Sequence, residues 1–288
     1  MASTTQKWFI GCGIGCGFLI LIIAIIVGGT IFAVKDVIKD GKSIEESNDA
    51  LVEAFGTPDE FTPTADGAIT ADRMEIFLKA REETTEPRTK MANILHTLDD
   101  ESDEGGRGAM AKLKAGLTMI PAILSYINTR NEVLLENGMG DGEYTYIYTM
   151  AYFAYLDKDL TDGPSFQMSG DDDGDEDGGG MNWRVQSGSS DKKVRSKREK
   201  NVRRQMHRLQ MSFLDNQIAS LGEFSGSEDL KAALDDEREA MLESRRRLLW
   251  EEGLPPAIEA SLEPFAGELN DSYLPVLNVI EIGLANTN

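Results

Sequence analysis

Both cysteines of this chain, Cys12 and Cys16, stand in the stretch "IGCGIGCGFLILIIAIIVGGT", where glycine fills every second position from Gly11 to Gly17. Two thiolates provide only half of a tetrahedral metal site, so a metal would need a second chain or further ligands. A lipoprotein cysteine follows its apolar core, whereas these two precede it. Palmitoylation of Cys12 and Cys16 remains as an acylation route if this end is cytoplasmic. On a helix advancing 100° per residue, Gly13, Gly17, Ala24 and Gly28 fall within about 60° of one another, with Cys12, Cys16 and Thr30 to the side. In a bilayer such small residues let a second helix backbone come close, so the stripe predicts packing between membrane helices, with the cysteines on its flank.

A second chemical candidate is the acidic run "DDDGDEDGGG". Asp173, Asp175 and Asp177 followed by Gly178 match the first half of an EF-hand calcium loop. The twelfth position of such a loop supplies a bidentate glutamate, and here it is Arg184. A solvated acidic linker is therefore the expectation, with weak calcium screening as the alternative. Downstream, nine Lys or Arg and one acid lie between Lys192 and Arg208. A solvated arm attracted to the six acids upstream or to the rest of this acidic chain is the expectation for that block, with contact to anionic lipid headgroups on a cytoplasmic face as the alternative.

Only two histidines occur, His96 and His207. Neither has metal-ligand spacing or a nearby nucleophile motif, and both are expected at the surface. With 50 acidic residues, no single carboxylate pair stands out as an acid–base couple. The chain carries no recognisable phosphate loop, metal motif or nucleophile, so neither catalysis nor a cofactor is implied.

These groups need elements to hold them. No charge occurs between Trp8 and Val34, and as a helix that run would be about 40 Å long, enough to cross a hydrocarbon core of about 30 Å. A cleaved signal would be shorter and would end in small residues at its cleavage site, so an uncleaved single-span anchor is expected. Lys7 stands on one side of it and Lys35, Lys39 and Lys42 on the other, which by lysine count places the carboxyl-terminal side in the cytoplasm. The layout of short tail, long apolar run and large polar region instead favours an extracytoplasmic body, and we adopt that side as the expectation. The net charge of −21 argues against a general nucleic-acid binder. No cysteine lies beyond the apolar run, so the polar region has no disulfide.

Apolar spacing then predicts an all-α chain: a tail over 1–7, the membrane helix over 8–34, a juxtamembrane helix and first helical half over 35–162, a disordered acidic then basic linker over 163–200, and a second helical half over 201–288. Gly41 is expected to interrupt the juxtamembrane helix. Thr70 reads as an N-cap with Ile69 and Met74 as its hydrophobic staple, and Pro121 as a kink. "EYTYIYTMAYFAYL" holds five of the seven tyrosines. Its composition suits a strand, but no partner strand is evident, so it is expected as a helix with Tyr144, Tyr148, Ala151 and Tyr155 on one face. Glu228 and Asp229 open a further helix whose last turn is expected to hold Arg245, Arg246 and Arg247. The end, "PVLNVIEIGL", fits an extended segment or a last helix. The expected function is that of a membrane-anchored interaction or scaffolding protein whose partners are the bilayer, a second copy and another protein. The alternative is a membrane-tethered ligand-binding or sensory module with a groove between the two halves.

Overall fold

The computed structural model describes residues 34–99, 106–159, 164–169, 182–187, 192–222 and 228–282. The membrane-helix expectation, with Gly13, Gly17, Ala24, Gly28, Cys12 and Cys16, lies outside these residues, as do Asp173, Asp175 and Asp177. Among the described residues no helix is long and apolar enough to cross a membrane.

Apart from one two-stranded hairpin, the described residues that form regular structure are helical, as the apolar spacing predicts. Helix α1 (Val34–Phe55) runs through Gly41 without interruption. A single glycine inside a long helix costs only about 1 kcal/mol, which docking of the same helix further along offsets. A short 3₁₀ turn, Pro58–Glu60, leads to α2 (Ala71–Glu83) and α3 (Thr85–Asp99). Thr70 stands at the N-cap of α2, with Ile69 and Met74 both buried beside it. Helix α4 (Gly106–Glu136) carries Pro121 within it and is flanked by α1 and α3.

The tyrosine segment is helical. Helix α5 (Asp141–Tyr148) passes into a π-helical turn over Thr149–Tyr155, closed by the Leu156 N–H donating to Ala151 O at 3.0 Å. Gly142 near its start is required by close packing, since a Cβ there would lie 2.6 Å from Pro58 O. Of the four residues expected on one face, Tyr144, Tyr148 and Ala151 are buried together, but Tyr152 is buried with them while Tyr155 is only half-buried. The wider π turn explains this: with fewer degrees of rotation per residue it carries Tyr152 into line with Tyr148, their rings 4.7 Å apart, and turns Tyr155 off that face.

Within the stretch that composition marks as a linker, β1 (Pro164–Ser169) pairs antiparallel with β2 (Asn182–Ser187). The register sets Phe166 opposite Val185 and Met168 opposite Trp183. Arg184, at the would-be twelfth calcium position, stands on β2 opposite Gln167. Helix α6 (Lys192–Leu221) then pairs with α7 (Glu228–Glu243). The chain closes with α8 (Pro256–Leu262), a 3₁₀ turn at Glu263–Phe265, α9 (Ala266–Ser272), a second 3₁₀ turn at Pro275–Leu277 and the single turn α10 (Asn278–Glu281).

Stretches on either side of 163–200 share one core. Leu51, Phe77, Leu134 and the buried tyrosines pack in the same cluster as Met206, Phe213, Met241 and Ile258. A smaller cluster sets Leu277 and Ile280 from the carboxyl-terminal segment against Met91, Leu95, Met119, Ile123 and Tyr126 of α3 and α4.

Helix α7 stops at Glu243, short of the three arginines. They occupy a loop instead, and the reason is visible in its partners. Arg247 turns back to pair with Glu237 at 2.9 Å and Glu252 at 2.6 Å. Trp250 takes a left-handed backbone conformation with φ 60°, and its N–H donates to Glu237 Oε1 at 2.8 Å. Gln210 of α6 accepts from the Leu249 N–H at 3.0 Å. Together these contacts outweigh one more helical turn with its favourable dipole placement.

Candidate functional site

Helices α2 and α3 follow one another almost without a break, and their inward row repeats every three and four residues: Met74, Phe77, Arg81, Thr84, Arg88, Met91 and Leu95, all buried. Two positions of that apolar row are therefore arginines. Leaving a guanidinium in the interior without a counter-charge is strongly unfavourable, so the fold must bring an acid to them.

That acid is Glu281, delivered by α10 from the far end of the chain with a side-chain exposure of 0 %. Arg81 Nη1 donates to Glu281 Oε2 at 2.8 Å and Arg88 Nε donates to Oε1 at 2.6 Å. Ser272 O accepts from both Arg81 Nη2 and Arg88 Nη2, each at 2.7 Å. A third arginine, Arg130 of α4, donates to the Glu281 backbone oxygen at 3.1 Å and pairs with Asp141 at 2.9 Å. Three cations on three helices thus grip one short carboxyl-terminal strap.

Tyrosines complete the enclosure. The Tyr144 hydroxyl accepts from Arg81 at 3.0 Å, and the Arg81 guanidinium lies 4.8 Å from the Tyr152 ring centre and 5.2 Å from that of Tyr148. Ring faces attract a cation electrostatically, more strongly where water is excluded. Tyr148 Oη donates to Asn278 Oδ1 at 2.8 Å, and Tyr152 Oη lies 2.8 Å from Ser272 Oγ. Asn278 Nδ2 in turn donates to Asp159 O and to Tyr273 Oη. The Tyr126 hydroxyl and Arg130 Nε are buried without a hydrogen-bond partner among the described residues.

Protonation follows from this geometry. Burial by itself would raise the Glu281 carboxyl, but the Arg81 and Arg88 charges and their hydrogen bonds prevail and hold it below the usual carboxylate range. Burial opposes charge on Arg81 and Arg130 as well; Glu281 and Asp141 respectively reverse the balance, and both guanidiniums stay cationic. Burial pushes the hydroxyls of Tyr126, Tyr144, Tyr148 and Tyr152 upward, so all four are neutral phenols at neutral pH.

What can such an arrangement do? Both Glu281 oxygens are engaged and its side chain is sealed from solvent, so in this conformation it reaches no outside molecule. The cluster is an ionic lock that holds the carboxyl-terminal strap to α2, α3 and α4. Sequence reasoning passed over all of its charged members.

The residues singled out for chemistry fare differently. His96 is exposed, as its place opposite the apolar row of α3 predicts. His207 is a correction: it is 7 % exposed, and its Nδ1 lies 2.9 Å from Arg247 O. The loop after α7 folds over it, a long-range contact that the local basic composition does not show. Among the described residues no three His, Cys, Asp or Glu side chains are grouped to hold a metal. No protein-family model, curated protein or solved structure matches this chain.

Proposed function

We propose that this chain is a single-pass membrane-anchored helical interaction or scaffolding protein. The observation that carries the proposal is the continuity of the apolar run with α1: the uncharged stretch from Trp8 to Val34 leads straight into a helix that is docked on the body. Ser43 Oγ donates to Asn128 Oδ1 at 2.9 Å, Asn131 Nδ2 donates to Ser47 Oγ at 3.2 Å, and Leu51 is in the core. A membrane helix joined in this way would fix the body close to the bilayer. The enclosed charge cluster supports a structural rather than a catalytic role for the most unusual interior residues. Where the stretches before and after 163–200 meet, Tyr146 and Phe61 pack against Phe213, which favours the scaffold over a ligand groove between the two halves.

In the bilayer, Gly13, Gly17, Ala24 and Gly28 would form the contact face for a second copy, with Cys12 and Cys16 beside it. Fluorescence energy transfer between labelled full-length chains in liposomes tests this. Gly17→Leu combined with Gly28→Leu should abolish transfer, whereas Cys12→Ser with Cys16→Ser should leave it nearly unchanged; the opposite pattern would sink the glycine face.

A further inference from the structure

Helix α6 carries its cations in two groups that the fold treats differently. Arg203, on the side facing the loop after α7, is engaged by Glu251 at 2.7 Å and by Glu199 at 3.4 Å, and it donates to Arg246 O at 3.3 Å. Arg247 and Arg238 are likewise paired, with Glu237 and Asp215. Lys200, Arg204 and Arg208 are all exposed and hold no ion pair among the described residues, although the chain has 50 acids against 29 Lys and Arg. They are spaced four residues apart and cover about 80° of the helix. From Lys200 to Arg208 the row is about 12 Å long. The first acid in line beyond them is Asp215, which already receives Arg238 at 2.6 Å.

The loop after α7 extends this face. Its backbone is fixed to α6 at Arg203, His207 and Gln210, so Arg245 and Arg246, exposed and without an ion pair among the described residues, sit beside the row rather than at large. Three cations in line with two more alongside make a local positive patch on a chain of net charge −21, a field that attracts anions against the sign of the chain as a whole.

We infer that the outer face of α6, centred on Lys200, Arg204 and Arg208, docks on the anionic headgroups of the bilayer in which the chain is anchored. This rests on the proposed anchor, which holds the body within reach of that surface, and it sets the body on the cytoplasmic side, where anionic lipid is concentrated, in line with the lysine count rather than with the layout. A lipid surface fits better than a nucleic acid on two grounds. No aromatic side chain interleaves the row as a stacking platform, and the acidic remainder of the chain repels a long polyanion that must extend past the patch. A planar headgroup layer meets the row alone. Each cation near such a surface contributes about a factor of five, so three together shift docking by about 100-fold.

The test uses the full-length chain in nanodiscs, with Ser212→Cys labelled by a fluorophore in a Cys12→Ser, Cys16→Ser background and with quencher attached to the lipid headgroups. Discs of neutral phosphatidylcholine are compared with discs containing phosphatidylserine. Strong quenching in the anionic discs alone is expected, falling to the neutral-disc level at high salt and in both Lys200→Glu/Arg204→Glu/Arg208→Glu and the corresponding triple glutamine variant. Equal quenching in both discs, or no change in either variant, would overturn the inference. So would row-dependent capture of a single-stranded RNA in neutral discs with no response to phosphatidylserine. Should the chain fail to incorporate into any disc, the anchor itself is wrong; flotation with preformed vesicles then reads the row alone. Binding only to anionic vesicles, lost in the triple variants, supports it, and no binding overturns it.

Discussion

Replacing Glu281 with Gln should destabilise the protein by about 3 to 5 kcal/mol, measured by urea unfolding of the full chain in detergent. The amide keeps the shape of the carboxylate but removes the one charge that, among the described residues, pairs with both Arg81 and Arg88, each of which is buried. Two guanidiniums would then share a site sealed from water, and the amide nitrogen would face a donor where an acceptor is needed. The strap from Ser272 to Ile282 should loosen first, because Ser272 O and Glu281 are its chief polar holds. A triple replacement by apolar residues, Arg81→Met with Arg88→Met and Glu281→Leu, should recover much of the loss, since a buried ion cluster stabilises little beyond a well-packed apolar equivalent.

The pH dependence carries a definite sign. Glu281 has its carboxyl pKa lowered in the folded state, so its contribution is fully present above the unfolded value and is lost as pH falls through the folded value. The gap in stability between the natural chain and Glu281→Gln should therefore be constant near neutrality and shrink only in acid below the ordinary carboxylate range. A gap that closed between pH 6 and pH 8 would contradict the assignment.

The second large effect is expected at Phe77. It is fully buried, its ring centre lies 5.0 Å from that of Tyr144, and the Arg81 guanidinium lies 5.5 Å from its own. Phe77→Ala removes ring contacts from the core and one apolar wall from the arginine pocket, at a loss of about 3 to 5 kcal/mol. Leu242 provides the contrast. It is 57 % exposed at the end of α7, and Leu242→Ala should change stability by less than about 0.5 kcal/mol. Thermal unfolding of the two variants side by side separates core packing from surface composition.

Much of the helical body was legible in the spacing of apolar residues. The start of α2 after Thr70 with its buried Ile69 and Met74, the helical tyrosine segment and the helix opening at Glu228 and Asp229 all follow from apolar spacing and capping. The ionic lock was not, because the row that defines the buried face of α2 and α3 continues through Arg81 and Arg88, and a periodicity search restricted to apolar residues skips them. Their seven-residue separation on one face was nevertheless a signal, as was Glu281, the lone acid in "VLNVIEI". What joins the three is a contact across about 200 residues of chain, which local spacing does not contain. The same holds for His207 on α6, whose partner is the Arg247 carbonyl in the loop after α7, 40 residues on. The π turn in the tyrosine segment escaped for a different reason, since α and π spacing differ by less than one residue per turn.

An anchored chain that meets partners, as proposed, is tested most directly by in situ crosslinking of the full-length protein. After crosslinking in intact membranes, the chain should be recovered in the membrane pellet as covalent dimers or larger species. Recovery as a monomer in the soluble fraction would contradict it.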